Sequence, residues 1–546
     1  MSSCIPLATL NLVLFSTFVT ISKGTLFAML PTRPEELRSS RIHNEPPQCE
    51  QHSENPAEPE GDNRETLQSQ GNDDKFITST PPTVVYMGVL LVFFICSLQQ
   101  QTNNSLFVYV LSYFSGHPTV ASLGLINSSF SGVFNLLFTN NLRLGSYLSS
   151  FVSIILGTSL GFVLLATSRT QAALVWGQLL CFLGYQGLFY VLDVITCDIS
   201  SLDNRACLLA LSRFPYIINT FVGPNLAQKI HRENSWRLAY GVFGGILPAM
   251  CAPLAVILLI ESRAKAKTRV HVTPQRTNSL PLWKELGRIV HDFDCVLFWV
   301  AFVIWEAAYA RRRFAAFHLL INPTVLGACV AGTILFISFY CVAAYFLSYI
   351  QVVYNTPISQ AGYIYNIHTI GACCFAILAG ISIRATGRFK WLAFSAMTWH
   401  LIATGLLLYF RQPKRNIAQL AVSQFLISVS GGLLGICGQM AILAADTHTG
   451  PATVLGLLFL FTSFGGAVGQ AIASAIYTFY MPKALQKYLP ADVQPPIRQA
   501  VIKAYSEVMR HLCVAGLCVL PVAWFSIAGW KNVNVKKAEQ KDSEAT

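Results

Sequence analysis

The sequence predicts an all-α polytopic membrane protein built from two bundles of six helices, and three observations lead to that fold class. Of the 546 residues, 53% are hydrophobic and 12% are charged, whereas a soluble domain averages about 25% charged residues. Apolar runs of roughly 20 residues, enough for a helix to cross a bilayer, recur along the chain. They form two series of six separated by a basic stretch. Because a spanning segment must satisfy its own backbone polar groups, such runs predict packed helices rather than a barrel.

The chain before the first series divides into two segments. Residues 1–30 include an apolar run at 5–21, which is a signal-like segment, an additional span or an artefact of gene prediction. No basic residue precedes the run, and this disfavours a signal peptide. Residues 31–80 are rich in Pro, Asn and Gln and carry more acidic than basic residues. That composition predicts a disordered polar tail.

The first six-helix bundle is predicted within residues 81–262, and a hydrophilic stretch at 263–320 follows it. The six apolar runs are 84–109, 119–138, 147–166, 172–193, 207–227 and 238–260. Lys and Arg concentrate in short cytoplasmic loops of membrane proteins. The basic stretch therefore predicts a cytoplasmic loop, with the start of the first bundle on the same side of the membrane.

A short apolar segment at 295–310 lies within that loop. It contains Glu306 and is followed by Arg311, Arg312 and Arg313. If the segment crossed the membrane, the three arginines and the carboxyl-terminal tail would both lie outside. We favour an interfacial helix on the inner surface, for which tryptophans, arginines and a short apolar face are typical.

The second six-helix bundle is predicted within residues 321–532, and residues 533–546 form a cytoplasmic tail. The apolar runs are 324–353, 361–383, 391–410, 417–444, 452–476 and 512–530. In this orientation the basic turn at 384–390 and the tail lie inside, as the positive-inside rule requires. The basic loops at 229–237 and 411–415 lie outside, against the rule.

Charge and cysteine content exclude several classes of protein. The formal net charge is +12, but the basic residues lie in short clusters between apolar runs, which indicates membrane topology rather than nucleic acid binding. The fifteen cysteines lie mostly inside apolar runs without metal-ligand or disulfide spacing, so we expect buried thiols. The sequence has no nucleophile–base pair, metal motif or phosphate loop. We therefore expect neither an enzyme nor a cofactor.

Short sequences in both halves resemble the fungal siderophore–iron transporters of the major facilitator superfamily. In the first half they are 200–205 (SSLDNR) and 215–224 (PYIINTFVGP). In the second half they are 324–329 (TVLGAC), 338–341 (SFYC), 349–355 (YIQVVYN), 361–364 (AGYI), 386–391 (TGRFKW), 439–441 (QMA), 488–492 (YLPAD) and 532–537 (NVNVKK). They occur in the family's order, and the resemblance extends over roughly residues 84–537.

The resemblance implies uptake of ferric siderophores, such as hydroxamate chelates, in symport with protons. The implied partners are the chelate, protons and membrane lipid, and the implied location is the plasma membrane, with an endosomal or vacuolar membrane as the alternative. The family usually has fourteen helices, and the extra central hairpin is here collapsed into the segment at 295–310.

Other departures from the family concern acidic residues. The first helix has Gln99, Gln100 and Gln101 where an acid is common, Gly438 stands where many relatives have Glu, and the turn at 135–145 contains no acid. These departures keep two other functions open. One is a drug or small-molecule proton antiporter, and the other is a non-transporting sensor or inactive remnant.

Candidate substrate contacts are neutral polar side chains, because ferric hydroxamates are near neutral and rich in oxygen acceptors. We select side chains on the first helix of each bundle, where a polar site near the midplane is expected. They are Asn103, Asn104, Tyr109, Tyr113, Tyr340, Tyr345 and Tyr349. The alternative for each tyrosine is packing between helices or a place in the interfacial aromatic belt.

Ionisable residues inside a membrane are costly and mark functional sites. Asp193 is the strongest candidate for the proton carrier, His368 is a second titratable group, and Arg213 pairs with Asp193 or lines the path. The alternatives are an inner-boundary position for Asp193, a hydrogen-bonded structural role for His368 and helix packing for Arg213. A cytoplasmic gate, or a set of topology determinants, is predicted at Asp198, Asp203, Arg205, Arg384, Arg388 and Lys390.

Overall fold

The computed structural model describes residues 81–113, 119–143, 147–233, 236–268, 317–412, 416–445, 450–488 and 497–535. Its α-helices are α1 (Pro82–Tyr113), α2 (Thr119–Arg143), α3 (Tyr147–Thr167), α4 (Gln171–Ile199), α5 (Leu202–Leu211), α6 (Pro215–Arg232), α7 (Trp236–Thr268), α8 (Pro323–Tyr354), α9 (Ile358–Thr386), α10 (Lys390–Phe410), α11 (Ile417–Ala445), α12 (Pro451–Tyr488) and α13 (Ile497–Ala528). A 3-10 helix, Phe317–Ile321, precedes α8. The predictions for residues 1–30, 31–80 and 295–310 lie outside the described residues.

Twelve crossings can be assigned within the described residues. Eleven segments are long and apolar enough to span a membrane, and one of them, Asn204–Arg232, combines most of α5 with α6. The twelfth crossing is α2, which has 25 residues. The crossings divide six and six around residues 269–316. The predicted all-α fold with two six-helix bundles is confirmed.

Helix ends follow from local capping. The side chain of Asn322 caps α8 by accepting a hydrogen bond from the Thr324 N–H at 3.1 Å, and Pro323 occupies the first helical position. At the other end of the next helix, Gly387 has φ of +68° and its N–H donates to the Ile383 carbonyl at 2.7 Å. Glycine is suited to this left-handed position, so α9 ends there.

Several predicted helix boundaries differ from the structure, and two of them show the reason. The fourth run was predicted to end at Asp193, but α4 continues to Ile199, which places Asp193 well inside the helix. The last run was predicted to begin at residue 512, but α13 begins at Ile497. In both cases the helix includes polar residues, such as Asp198 and Lys503, that hydropathy assigns to loops.

The two bundles meet along two seams. One joins α2 to α12, and the other joins α9 to α5 and α6. We call the end of the molecule with the α4–α5 and α9–α10 turns the inner end, and the opposite end the outer end. At the inner end Gly380 of α9 approaches α5 so closely that an added Cβ would lie 2.8 Å from the Cα of Cys207. At the outer end the Ser359 N–H donates to Gln228 Oε1 at 3.3 Å. The bundles therefore touch at both ends.

We expect Gly380→Ala to destabilise the protein by about 1–3 kcal/mol, the usual cost of overpacking a close contact. The new methyl group meets the backbone of α5, which cannot move aside as a flexible side chain would. Thermal unfolding of the purified protein measures the effect. Gly435→Ala is the matched control, because nothing lies within 4 Å of its added Cβ. Equal melting temperatures for the two variants would contradict the close approach of α9 to α5.

Candidate functional site

A buried ion pair lies in the first bundle beside the second. Nη2 of Arg213 is 2.6 Å from Oδ2 of Asp193, and the Asp193 side chain has no exposed surface. The Arg213 guanidinium also lies over the rings of Phe93, at 4.9 Å, and Phe189, at 5.6 Å. These contacts connect α1, α4 and the α5–α6 junction. They stabilise the charge of the Arg213 guanidinium, which water would otherwise solvate.

A break between α5 and α6 positions Arg213. Pro215 has no N–H, so the hydrogen bond that would continue α5 toward α6 cannot form at this residue. Instead, the Phe214 N–H donates to the Leu211 carbonyl at 3.0 Å, and the Tyr216 N–H donates to the Arg213 carbonyl at 3.1 Å. This tight turn places the arginine opposite Asp193. The ion pair that the sequence allowed is present in the structure.

The two oxygens of the Asp193 carboxylate differ in their contacts. Oδ2 accepts from Arg213, whereas Oδ1 is buried without a partner of hydrogen-bond geometry. The amide of Gln439, on α11 of the second bundle, lies beside the same carboxylate. Sequence reasoning missed Gln439, because nothing in a single sequence connects it with a residue in the other half. The carboxylate is therefore a point of contact between the bundles.

The three glutamines of α1 form hydrogen bonds between helices. The Gln99 amide donates to the Phe243 carbonyl at 3.0 Å, and Gln101 donates to Thr220 Oγ1 at 3.1 Å. Gln100 Oε1 accepts from the Tyr216 hydroxyl at 2.5 Å. Neutral amides thus link α1 to α6 and α7 at positions where the resemblance implies an acid. Among the described residues that surround these amides, Asp193 supplies the acidic side chain.

The substrate contacts predicted on α1 occupy different environments. Asn103 is buried within the first bundle, where it accepts from the Tyr240 hydroxyl at 2.8 Å and donates to Gln178 Oε1 at 3.3 Å. Asn104 is exposed. Tyr109 lies near the outer end, with its ring 4.8 Å from that of His231. The side chain of Tyr113 is outside the described part of the chain.

The tyrosines predicted on α8 lie mostly in packed positions. The Tyr345 ring stacks on Tyr477 with centroids 4.0 Å apart. Tyr349 is buried, and its hydroxyl donates to the Arg411 carbonyl. Both therefore pack between helices in this conformation, which was the alternative to substrate contact. Tyr340 differs, because its ring borders Gly466 on the α2–α12 seam.

His368 is half-buried in α9, with its ring 5.1 Å from that of Phe339. A second histidine, His400 of α10, is close enough to His368 for the two side chains to interact electrostatically. His400 is buried, and its Nδ1 lies 2.6 Å from Ser430 Oγ. Sequence reasoning missed His400. A single histidine in an apolar run does not reveal which neighbour it will meet, and here the neighbours lie on α9 and α11.

The predicted cytoplasmic gate residues lie at the inner end, but their contacts differ from those expected. Lys390 donates to the backbone carbonyls of Ala528, at 2.9 Å, and Trp530, at 2.5 Å, so it fastens the end of α13 within its own bundle. In this conformation Lys390 therefore bonds to backbone carbonyls of its own bundle, and its role as a gate residue or a topology determinant stays a prediction. A lysine satisfies exposed carbonyls at a helix C-terminus, where the dipole also favours it.

The other gate candidates have varied surroundings. Asp198 accepts a hydrogen bond from the Tyr147 hydroxyl, and Arg205 donates to the Ser200 carbonyl at 3.5 Å. Arg384 and Arg388 are exposed, and the side chain of Asp203 is not among those described. An inter-bundle contact at this end comes from Tyr190, whose hydroxyl donates to the Ala452 carbonyl at 2.6 Å.

Comparisons with known proteins agree with this architecture. The sequence profile of the Major Facilitator Superfamily matches residues 89–470. The chain is 30% identical over 514 residues to "MFS siderochrome iron transporter 1" of Ajellomyces capsulatus, covering 83% of this chain and 87% of that protein. It is 30% identical over 517 residues to "Siderochrome iron transporter 2" of Aspergillus fumigatus, with coverage of 84% and 85%.

Solved structures show the same fold. A bacterial homologue of the human lysosomal transporter Spinster, in an inward-facing conformation, superposes with a TM-score of 0.56 at 12% identity, covering 83% of this chain and 98% of that one. The proton:xylose symporter XylE gives a TM-score of 0.50 at 12% identity, with coverage of 84% and 98%.

The fold and the profile define a class. The chain is a multi-pass membrane transporter of the major facilitator superfamily and not an enzyme. Within that superfamily it belongs to the fungal siderophore–iron transporters.

We expect Arg213→Gln to destabilise the protein by about 3 kcal/mol, because it leaves the buried Asp193 carboxylate without its counter-charge. This is the lower end of the cost of breaking a buried pair, since the Arg213 side chain is 25% exposed. The double variant Asp193→Asn/Arg213→Gln recovers much of the loss, because neither charge remains. Unfolding of the purified protein in mixed micelles measures each variant.

The surface pair of Lys487 and Glu507, 3.1 Å apart, is the control for this comparison. Its Lys487→Ala variant is expected to change stability little, because solvent screens an exposed pair. A double variant no more stable than Arg213→Gln alone would show that the two charges do not depend on each other.

Proposed function

We propose that this transporter imports ferric siderophores of the neutral hydroxamate class in symport with protons. The observation that carries the proposal is the buried Asp193–Arg213 pair, whose carboxylate lies beside the Gln439 amide of the second bundle. The similarity to the two siderochrome iron transporters supports the substrate class. The plasma membrane is the proposed location, and fluorescence microscopy of the tagged protein separates it from endosomal and vacuolar membranes.

The charge balance of the site favours a neutral chelate. The Asp193 carboxylate and the Arg213 guanidinium cancel, and the nearby side chains that link α1 to α6 and α7 are neutral amides and hydroxyls. A substrate with net charge would lose its hydration without gaining a counter-charge, which is costly in a low-dielectric interior. Ferric trihydroxamates are near neutral and offer many oxygen acceptors to Gln, Asn and Tyr donors.

We attribute proton coupling to competition between a proton and Arg213 for the Asp193 carboxylate. A proton on Asp193 neutralises the carboxylate, weakens its bond to Arg213 and changes its contact with Gln439 of the second bundle. Since alternating access is largely rocking of one bundle against the other, a group shared by both bundles can link protonation to the motion. His368, which lies in the second bundle, is the second proton-binding candidate.

The proposal is tested by uptake of radiolabelled iron in fungal cells that lack their own siderophore transporters and express this chain. Accumulation of a ferric trihydroxamate, abolished by a protonophore, is the expected result. No uptake of any ferric chelate by protein that is correctly inserted would refute the importer. Proton-driven export of small molecules by such cells would instead support the antiporter alternative.

We expect Asp193→Asn to abolish proton-driven accumulation while exchange of labelled for unlabelled chelate across the membrane persists. The amide keeps the shape of the carboxylate but cannot carry the proton through the cycle. The measurement is accumulation against counterflow in reconstituted vesicles. Glu507→Gln, which removes a partly exposed acid in α13, is the control that retains accumulation. Full accumulation by Asp193→Asn would exclude Asp193 as the carrier, and the matching His368→Asn variant would then be decisive.

A further inference from the structure

A stripe of small and polar side chains on α2 faces α12. Its contacting members are Gly124, Ser128, Ser131 and Thr139, spaced so that they lie on one face of the helix. We call this set, with the residues between them on the same face, the α2 stripe. It carries no ionisable side chain, and the proposed function assigns it no role.

Two hydrogen bonds and close packing place the α2 stripe against α12. Gln470 of α12 donates to Ser128 Oγ at 3.1 Å, and Ser131 Oγ donates to Ser463 Oγ, also at 3.1 Å. Farther toward the inner end, Thr139 lies against Gly456, where an added Cβ would collide with it. The stripe therefore follows α12 along the whole seam between the bundles.

Asn135 occupies the stripe between Ser131 and Thr139 and is the member that lacks partners. Its side chain has no exposed surface, yet neither the Nδ2 donor nor the Oδ1 acceptor makes a hydrogen bond. Oδ1 of Asn127, one turn before Ser131, is likewise buried and unpaired. Burying an amide without partners costs free energy, so such groups in a native protein call for an explanation.

We propose that Asn135 and Asn127 form a binding wall for the chelate, which becomes accessible when the α2–α12 seam opens. This inference rests on the proposed function and extends it to a specific surface. Asn135 lies nearer the inner end of α2 than its outer end, so rocking of the bundles that opens the inner end exposes it first. Its donor then meets hydroxamate oxygens, and its acceptor meets amide N–H groups of the chelate. Because the wall has no charge, it selects neutral trihydroxamates over trianionic catecholates.

The first test compares two asparagines that are both fully buried. Asn135→Leu replaces an unpaired amide with an apolar group of similar size, so the melting temperature of the purified protein should stay the same or rise. Asn219 is the matched control, because its Nδ2 donates to the Phe94 carbonyl at 2.8 Å and to Ser97 Oγ at 2.6 Å. Asn219→Leu should melt several degrees lower. A similar loss in Asn135→Leu would overturn the proposal by revealing a structural partner.

The second test measures binding through ligand-induced stabilisation of the purified, full-length protein. Ferrichrome, a neutral ferric trihydroxamate, should raise the melting temperature of the wild type, because a ligand that binds the folded state stabilises it. Asn135→Leu should weaken the apparent Kd about tenfold or more, with Asn127→Leu giving a smaller loss. Ferric enterobactin, a trianionic catecholate, should give little stabilisation of either protein.

The outcomes separate this inference from the proposed function. If ferrichrome stabilises the wild type and Asn135→Leu equally, the binding wall is refuted and siderophore transport stands. If neither chelate stabilises the wild type, and cells expressing it take up neither, the proposed function fails and the wall fails with it. Equal stabilisation by both chelates would refute the selection for neutral substrates.

Discussion

The ion pair of Asp193 and Arg213 is the interaction on which the centre of this transporter depends. Two charges removed from water are tolerable only while each has the other, so α4 and the α5–α6 junction must stay within bonding distance. The rings of Phe93 and Phe189 cover the guanidinium and add α1 to the assembly. A single proton delivered to the carboxylate changes this balance. The pair is therefore stable only while both charges are present and in contact.

The low dielectric constant of the protein interior explains both the neutral side chains at the centre and the close packing of the bundles along the two seams. The contacts between the bundles rely on neutral groups such as Gln439, which lies beside the Asp193 carboxylate, and Ser131. Their hydrogen bonds can be exchanged for bonds to water or substrate. Glycines such as Gly380 allow backbones to meet without bulky side chains, so a small rotation breaks few contacts. An interface of this composition can open and close, whereas a seam of buried charges would resist separation.

Hydropathy predicted the crossings because the cost of placing polar groups in lipid is large and local in sequence. The same argument found Asp193 and Arg213, since ionisable residues in apolar runs are rare. It could not find Gln439, His400 or Asn135, because neutral polar residues are common in transporter helices and their importance depends on partners in other helices. Tyr349 illustrates the converse difficulty, because the sequence allowed both substrate contact and packing, and only the structure shows the packed contact. A tyrosine that packs and a tyrosine that binds substrate look the same until the hydroxyl's partner is known.

At one place in the structure, two of the short sequences that resemble the siderophore transporters contact each other and stabilise the scaffold. Residues 386–391 meet residues 532–535 at the inner end, where the Val535 N–H donates to the Gly387 carbonyl at 2.9 Å and Lys390 donates to the carbonyls at the end of α13. Backbone pairing of this kind requires a left-handed glycine and a lysine at fixed positions, so it leaves a recognisable sequence. Substrate selection by neutral amides demands no such fixed pattern. The resemblance therefore identifies the family through contacts of its scaffold, whereas the proposed binding wall contains side chains, such as Asn135, that only the fold brings to one seam.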